Sequence, residues 1–190
     1  MTEHKHGCCP PGSWPALNVQ YEPKGETFDL NGAKVYHVGH GKRVLIIFTD
    51  IFGAFTGRHQ SIADTYAEWG YNVYLPEILS EIYNDDPTDF AKIVPYAQGL
   101  DQEKMRQTFI NLVQLLEKDG HKQYFAVGFC WGVWKAFTLA VEFDGFISIV
   151  GFHPSIICEA LMGGNEAELT KKVKCPAFFY PAGNDVPNIK

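Results

Sequence analysis

A cysteine framed by two glycines, Gly128-Phe129-Cys130-Trp131-Gly132, follows the apolar run Tyr124-Phe125-Ala126-Val127 and precedes a helix-compatible segment. Glycine-x-nucleophile-x-glycine between strand and helix is the pattern of a nucleophile elbow, with sulfur in place of the usual serine oxygen. The cause of the pattern is steric. The nucleophile occupies a strained turn, and the positions on either side of it lie close to neighbouring backbone. The turn lifts Sγ to the N-terminus of the following helix, where unpaired amides and the helix dipole favour a thiolate and the oxyanion of an acyl-transfer intermediate. The chemistry implied is attack by Cys130 on a carbonyl carbon. A buried structural cysteine is the competing reading, and the flanking glycines, strand and helix argue against it.

Such a thiol needs donors for the acyl oxygen and a base. The Trp131 amide is the natural first donor, and the second belongs at Ile51, in the loop Asp50-Ile51-Phe52-Gly53-Ala54-Phe55-Thr56-Gly57. Phe52, Phe55, Trp131 and Trp134 are candidates to line an apolar pocket, with helix packing an equal account of the two tryptophans. Asp50 either accepts the thiol proton or caps the loop or helix after it. Asp185, in the turn-rich stretch Pro181-Ala182-Gly183-Asn184-Asp185, has the place of a carboxylate that orients a catalytic histidine. A turn aspartate is the alternative. The histidine should follow the acid in chain order, and none of Val186-Pro187-Asn188-Ile189-Lys190 is one. His153 comes earlier, at the end of another strand, and reads as a structural or substrate-contacting residue ahead of a general base. His59, at the start of a helix, is a weaker candidate.

The elements around these residues alternate. Glu26–Leu30 and Ala33–Val38 read as a strand pair joined by the turn Asn31-Gly32. Residues 43–49 form the first central strand, apolar enough to be covered on both faces. A helix over 58–69 stops at Gly70, and a strand over 71–75 ends at Pro76. Residues 77–100 read as an excursion above the sheet with one short helix. A helix over 102–118 carries Met105, Phe109, Leu112 and Leu116 on one face. The elbow strand, a helix over 131–141, a strand over 145–150 and a last strand over 175–180 complete a mostly parallel α/β sheet with helices on both faces. Catalytic groups in such sheets gather at the C-terminal strand ends, where Asp50, Cys130 and Asp185 all fall.

With 190 residues, 46% hydrophobic and 20% charged, the chain suits one soluble domain. A formal charge of −6 and the lack of a Lys/Arg run argue against nucleic acid and against an anionic membrane surface. The first residues lack the apolar core of a signal peptide, and no segment reaches the length of a membrane span. Five cysteines without a secretory segment imply reduced thiols and a cytoplasmic chain. His4, His6, Cys8 and Cys9 are metal-ligating types, but their spacing matches no zinc pattern. A terminus folded back on the domain is the better reading. Cys158 and Cys175 read as packed or loop thiols.

Taken together, these pieces resemble the dienelactone hydrolase family of α/β-hydrolases. The resemblance rests on Asp50-Ile51-Phe52-Gly53, Gly70-Tyr71 before Val73-Tyr74-Leu75-Pro76, the elbow, His153-Pro154 and the segment ending at Asp185, in the family's order. Cys8-Cys9-Pro10-Pro11-Gly12 is similar to eukaryotic members. The resemblance implies a three-layer α/β-hydrolase fold with a mostly parallel central sheet, here lacking its C-terminal strand. Residues 1–25 would be an N-terminal extension packed on a single domain at 26–190 that is C-terminally incomplete. The implied activity is hydrolysis of a carboxylic ester or lactone, typically dienelactone, through a Cys-Asp-His triad without metal or organic cofactor. Cys130 then resembles the nucleophile, Asp185 the triad acid, Asp50 the acidic residue near the resting thiol, and Ile51 and Trp131 the oxyanion donors. Val133 departs from a frequent glycine, and Glu77-Ile78-Leu79 shows no arginine for a substrate carboxylate. The stretch that would bring the final strand and histidine is missing. The expected partner is a small-molecule ester or lactone, with no nucleic acid and no membrane insertion. An exposed sheet edge would suit a protein partner, and a catalytically inactive, partner-binding member of the family is the alternative function.

Overall fold

The computed structural model describes residues 20–85, 89–183 and 185. Asn31 and Gly32 both take positive φ, 54° and 89°, which bends a two-residue hairpin in the sense of the strands' own twist. They join β1 (Glu26–Leu30) to β2 (Ala33–Val38) in an antiparallel pair, as expected. β2 also pairs antiparallel with β4 (Tyr71–Pro76). From β4 the sheet continues in parallel through β3 (Arg43–Phe48), β5 (Tyr124–Phe129), β6 (Phe146–Phe152) and β7 (Ala177–Tyr180). The order is β1-β2-β4-β3-β5-β6-β7.

β3 accounts for the layering. Val44, Ile46 and Phe48 enter one core, and Leu45 and Ile47 enter another, because successive strand side chains point to opposite faces. The first core is closed by α3 (Gln102–Lys118) through Met105, Phe109, Leu112 and Leu116, and by α4 (Trp131–Glu142) through Val133 and Phe137. The second is closed by α1 (His59–Glu68) through Ala63. Each large apolar side chain fully buried in this way contributes about 1.5–3 kcal/mol relative to exposure. Helices on both faces of a largely parallel sheet are the three layers expected.

The excursion over 77–100 carries α2 (Phe90–Gly99), started by the Asp89 carboxylate, which accepts from the Ala91 amide at 3.1 Å. Three details differ from the expected elements. β6 runs two residues past 150, because Gly151 keeps the ladder while making room for Val133; a Cβ there would stand 2.7 Å from Val133 Cγ1. β7 starts at Ala177, since Pro176 has no N–H to give a ladder. Between β6 and β7 lie two short helices, α5 (Cys158–Leu161) and α6 (Glu166–Lys172). β7 is an edge strand with Phe178 and Tyr180 more than half exposed, and its outer edge has no strand partner among the described residues.

Of the expected N-terminal extension, residues 20–25 are described. Tyr21 and Tyr36 hydroxyls donate to Asp64, and the Gly25 amide donates to Tyr36 Oη at 2.7 Å. His4, His6, Cys8 and Cys9 lie outside the described residues. Among those described, no helix is long and apolar enough to cross a membrane.

Candidate active site

Cys130 takes φ 51° and ψ −118°, a conformation disfavoured for any residue with a Cβ. Three hydrogen bonds hold it there. Its amide donates to the Phe152 carbonyl at 3.0 Å, and its own carbonyl accepts from Val133 N at 3.1 Å and Ser155 N at 3.2 Å. The glycines of the motif allow the crossing. A Cβ on Gly128 would stand 2.8 Å from Val133 Cα, and one on Gly132 would stand 2.3 Å from the Phe48 carbonyl oxygen and 2.4 Å from that of Thr49. The first turn of α4 therefore lies against the end of β3, where Asp50 and Ile51 begin the next loop.

β3, β5, β6 and β7 are parallel neighbours, so their C-terminal ends make one rim. The loop after β3 brings Asp50 and Ile51 to it, the elbow brings Cys130 and Trp131, the exit of β6 brings His153, and the turn after β7 brings Asp185. Trp131 is the first residue of α4, where an amide has no intrahelical partner. Among the described residues, neither the Trp131 amide nor the Ile51 amide is bound.

The loop after β3 is braced from several sides. Asp50 Oδ1 accepts from the Phe52 amide at 2.9 Å, and the Ile51 carbonyl accepts from Tyr83 N at 3.0 Å. Glu77 Oε2 accepts from the Ala54 amide at 2.7 Å, while Glu77 Oε1 is buried without a hydrogen bond. Burial pushes the Glu77 carboxyl up, against the lowering effect of the Ala54 and Leu79 amides. Burial also pushes the Asp50 carboxyl up, opposed by His59 and the Phe52 amide. His59 Nε2 lies 3.7 Å from Asp50 Oδ2.

Asp185 is buried, and its Oδ2 accepts from the Ala182 amide at 2.6 Å. Its Oδ1 touches His153 Nδ1 in a contact that lies off the line of a hydrogen bond and is an ion pair only when the imidazole carries a second proton. His153 also has positive φ, 50°, and its amide donates to the Tyr180 carbonyl at 3.0 Å. The histidine beside Asp185 among the described residues is thus one that precedes it in the chain. The Cys130 sulfur lies 3.2 Å from Ser155 Oγ.

The expected pocket residues divide. Phe52 joins the core of α3 and α4 with Tyr83, ring centroids 6.1 Å apart. Trp131 and Trp134 meet edge to face at 5.7 Å, and Trp134 Nε1 donates to Glu159 at 2.8 Å. Both tryptophans are buried, as helix packing requires. Phe55 packs against the α1 core, on the other face of the sheet from Phe52, and lines a cleft of about 640 Å³ with Tyr21 and Gln60. Sequence reasoning missed Ser155 and Glu77. Glu77 directly follows a strand, and the strand-end rule that selected Asp50 would have selected it too. No spacing signal marks Ser155. Among the described residues, no three His, Cys, Asp or Glu side chains are grouped to hold a metal ion.

The model of the dienelactone hydrolase family matches residues 33–189. An uncharacterized AIM2 family protein of Schizosaccharomyces pombe is 28% identical over 90% of this chain and 71% of its own length. The human carboxymethylenebutenolidase homolog is 25% identical over 88% of this chain and 67% of its own. A Klebsiella pneumoniae chain assigned as a dienelactone hydrolase shares the fold at TM-score 0.56 and 14% identity, over 86% of this chain and 92% of that one. Of a Vigna radiata epoxide hydrolase mutant the chain spans 38%.

Proposed function

Because this chain belongs to the dienelactone hydrolase family, we propose that it hydrolyses a carboxylic ester or lactone with Cys130 as the nucleophile. The observation that carries the reading is the Cys130 backbone, φ 51° at the head of α4. Such a conformation costs about 1–3 kcal/mol and persists where the surroundings over-determine it.

In this reading His153 takes the thiol proton, and the thiolate attacks the acyl carbon. The carbonyl π electrons pass to oxygen, which the amides of Ile51 and Trp131 receive. Collapse of the tetrahedral species expels the alkoxide, which takes the proton from His153 and leaves an acyl thioester. Water then attacks while losing a proton to His153, and a second collapse frees the acid and returns the sulfur. Asp185 orients the imidazole and offsets its charge when protonated. A lactone would leave as a single hydroxy acid. Asp50 shapes the oxyanion loop, and Phe52 supplies an apolar wall. A cytoplasmic setting, which keeps the thiol reduced, is part of the proposal.

Cys130→Ala should lower hydrolysis of p-nitrophenyl acetate and of an enol-lactone by about a thousandfold or more, with the circular dichroism spectrum unchanged. A variant as active as the parent would overturn the reading.

The open edge of β7, with Phe178 and Tyr180 exposed, favours a second reading: an inactive family member that binds a protein along that edge. Parent protein that turns over no ester, thioester or lactone would select it.

A further inference from the structure

We infer that the Ser155 hydroxyl is a catalytic group of this site, donating a hydrogen bond to the Cys130 thiolate and holding the sulfur in its charged, reactive form. The inference rests on the reading of Cys130 as nucleophile and adds to it a residue that no motif selects.

The geometry is fixed at several points. Ser155 Oγ lies 3.2 Å from Cys130 Sγ, and Ser155 N donates to the Cys130 carbonyl at 3.2 Å. One residue therefore grips the elbow at both its backbone and its reacting atom. Ser155 is itself anchored, since its carbonyl accepts from the Cys158 amide at 3.0 Å, at the start of α5. Pro154 before it restricts the chain leaving β6. With the backbone held, the freedom left is rotation about Cα–Cβ and of the hydroxyl proton.

That rotation decides the chemistry. A thiol donates or accepts weakly, whereas a thiolate only accepts; a serine hydroxyl does either. The contact therefore survives loss of the sulfur proton, with the hydroxyl turned to donate. A bond to an ionised partner is about twice as strong as one between neutral groups. The hydroxyl consequently favours the charged sulfur over the neutral one. The same donor helps the second half of the reaction, in which the sulfur departs from the acyl carbon as thiolate.

Other titratable groups stand on the elements around the elbow. Cys158 and Glu159 stand on α5. His153 and Asp185 come from the ends of β6 and β7. Asp50 and His59 come from the loop after β3 and from α1, with the His59 ring 5.5 Å from that of Phe129. The test must change the hydroxyl and leave these in place.

Threonine and valine are nearly the same shape and differ in the hydroxyl. In the full chain, Ser155→Thr and Ser155→Val are compared by iodoacetamide alkylation from about pH 5 to 10, read from the mass of the peptide containing Cys130 because the other cysteines also react. The valine variant should shift the midpoint upward by about one unit and react about tenfold more slowly at neutral pH, and the threonine variant should follow the parent. Coincident threonine and valine profiles would overturn the inference. If valine prevents folding, Ser155→Ala against the parent gives the same comparison with the same two outcomes. Ester turnover is read on the same samples. A shifted profile with no turnover in the parent would sink the hydrolase reading and leave Ser155 in place; an unshifted profile with an active parent would do the reverse.

Discussion

His59 Nδ1 lies 3.2 Å from the Thr56 carbonyl, and His59 Nε2 lies 3.7 Å from Asp50 Oδ2, so one buried imidazole spans the loop that carries the Ile51 amide. A carbonyl can only accept, so Nδ1 carries its proton and Nε2 is the atom presented to the carboxyl. Thr56 tightens the same loop, its hydroxyl donating to the Phe52 carbonyl at 2.8 Å.

His59→Phe should therefore do more than loosen the fold. Loss of the buried polar contacts should cost about 1–3 kcal/mol of stability. The Asp50 carboxyl, already pushed up by burial, loses the neighbour that lowers it and should move further up. If the Ile51 amide receives the oxyanion as proposed, unbracing its loop should lower kcat on an aryl ester more than it raises KM. Thermal melts and steady-state kinetics check both. A lower melting temperature with unchanged kcat would reduce His59 to a structural role.

The parts of this arrangement that were legible in the sequence are those set by local sterics. The run Val44-Leu45-Ile46-Ile47-Phe48 is apolar at every position because both faces of β3 are covered, and Cys130 stands between glycines because two backbones cross there. The meeting of His153 with Asp185 was not legible, since it depends on β6 and β7 being neighbours and on the positive φ at His153. Ser155 was hidden for the same reason: its approach to the sulfur comes from the bend after β6, and a serine after His-Pro has many other uses. The faces of Phe52 and Phe55 were not legible either, because a stretch of loop carries no period that assigns its side chains, and the two pack in cores on opposite sides of the sheet.

Glycine substitutions separate close approach from helix propensity. Gly132→Ala places a Cβ 2.3 Å from the Phe48 carbonyl oxygen, against backbone that cannot rotate away. The first turn of α4 must then lift from β3, at a cost of about 3 kcal/mol and with loss of the Trp131 amide's position. Gly99→Ala, at the end of α2, meets nothing within 4 Å and should be neutral or stabilising by about 0.5 kcal/mol. Urea denaturation of the two variants beside the parent gives the comparison.

Glu77 predicts a pH dependence of the opposite kind to a paired carboxylate. Its folded carboxyl is pushed up by burial, so the native state holds the proton to higher pH than the unfolded chain does. Stability must then fall as pH rises from the unfolded carboxyl's range through the folded one, by at most about 1.4 kcal/mol per unit for one proton. Glu77→Gln keeps an acceptor for the Ala54 amide and removes the titration. Its melting temperature, compared with the parent's across the acidic range, should decline less as pH rises; parallel curves would show that Glu77 is not a source of the decline.

Lys135 gives the matching case for a cation. It is 4% exposed on α4, and Nζ donates to Gln102 Oε1 at 3.1 Å, with no carboxylate at ion-pair distance among the described residues. Burial pushes its ammonium down from 10.5 to about 8, against the opposing pull of Glu142 and Glu103. Below about pH 8 both states carry the proton, and the fold bears the cost of an enclosed charge. Between about 8 and 10.5 the native state releases the proton while the unfolded chain keeps it, so stability rises with pH in that window. Lys135→Met removes the charge and keeps most of the volume, and should stabilise the fold at pH 7 by about 1–3 kcal/mol. The advantage of the methionine variant should shrink steadily as pH is raised through the window. Denaturation midpoints of both proteins at each pH decide it: an advantage that stays constant would mean that the folded ammonium titrates with the unfolded one and is not held in a dry site.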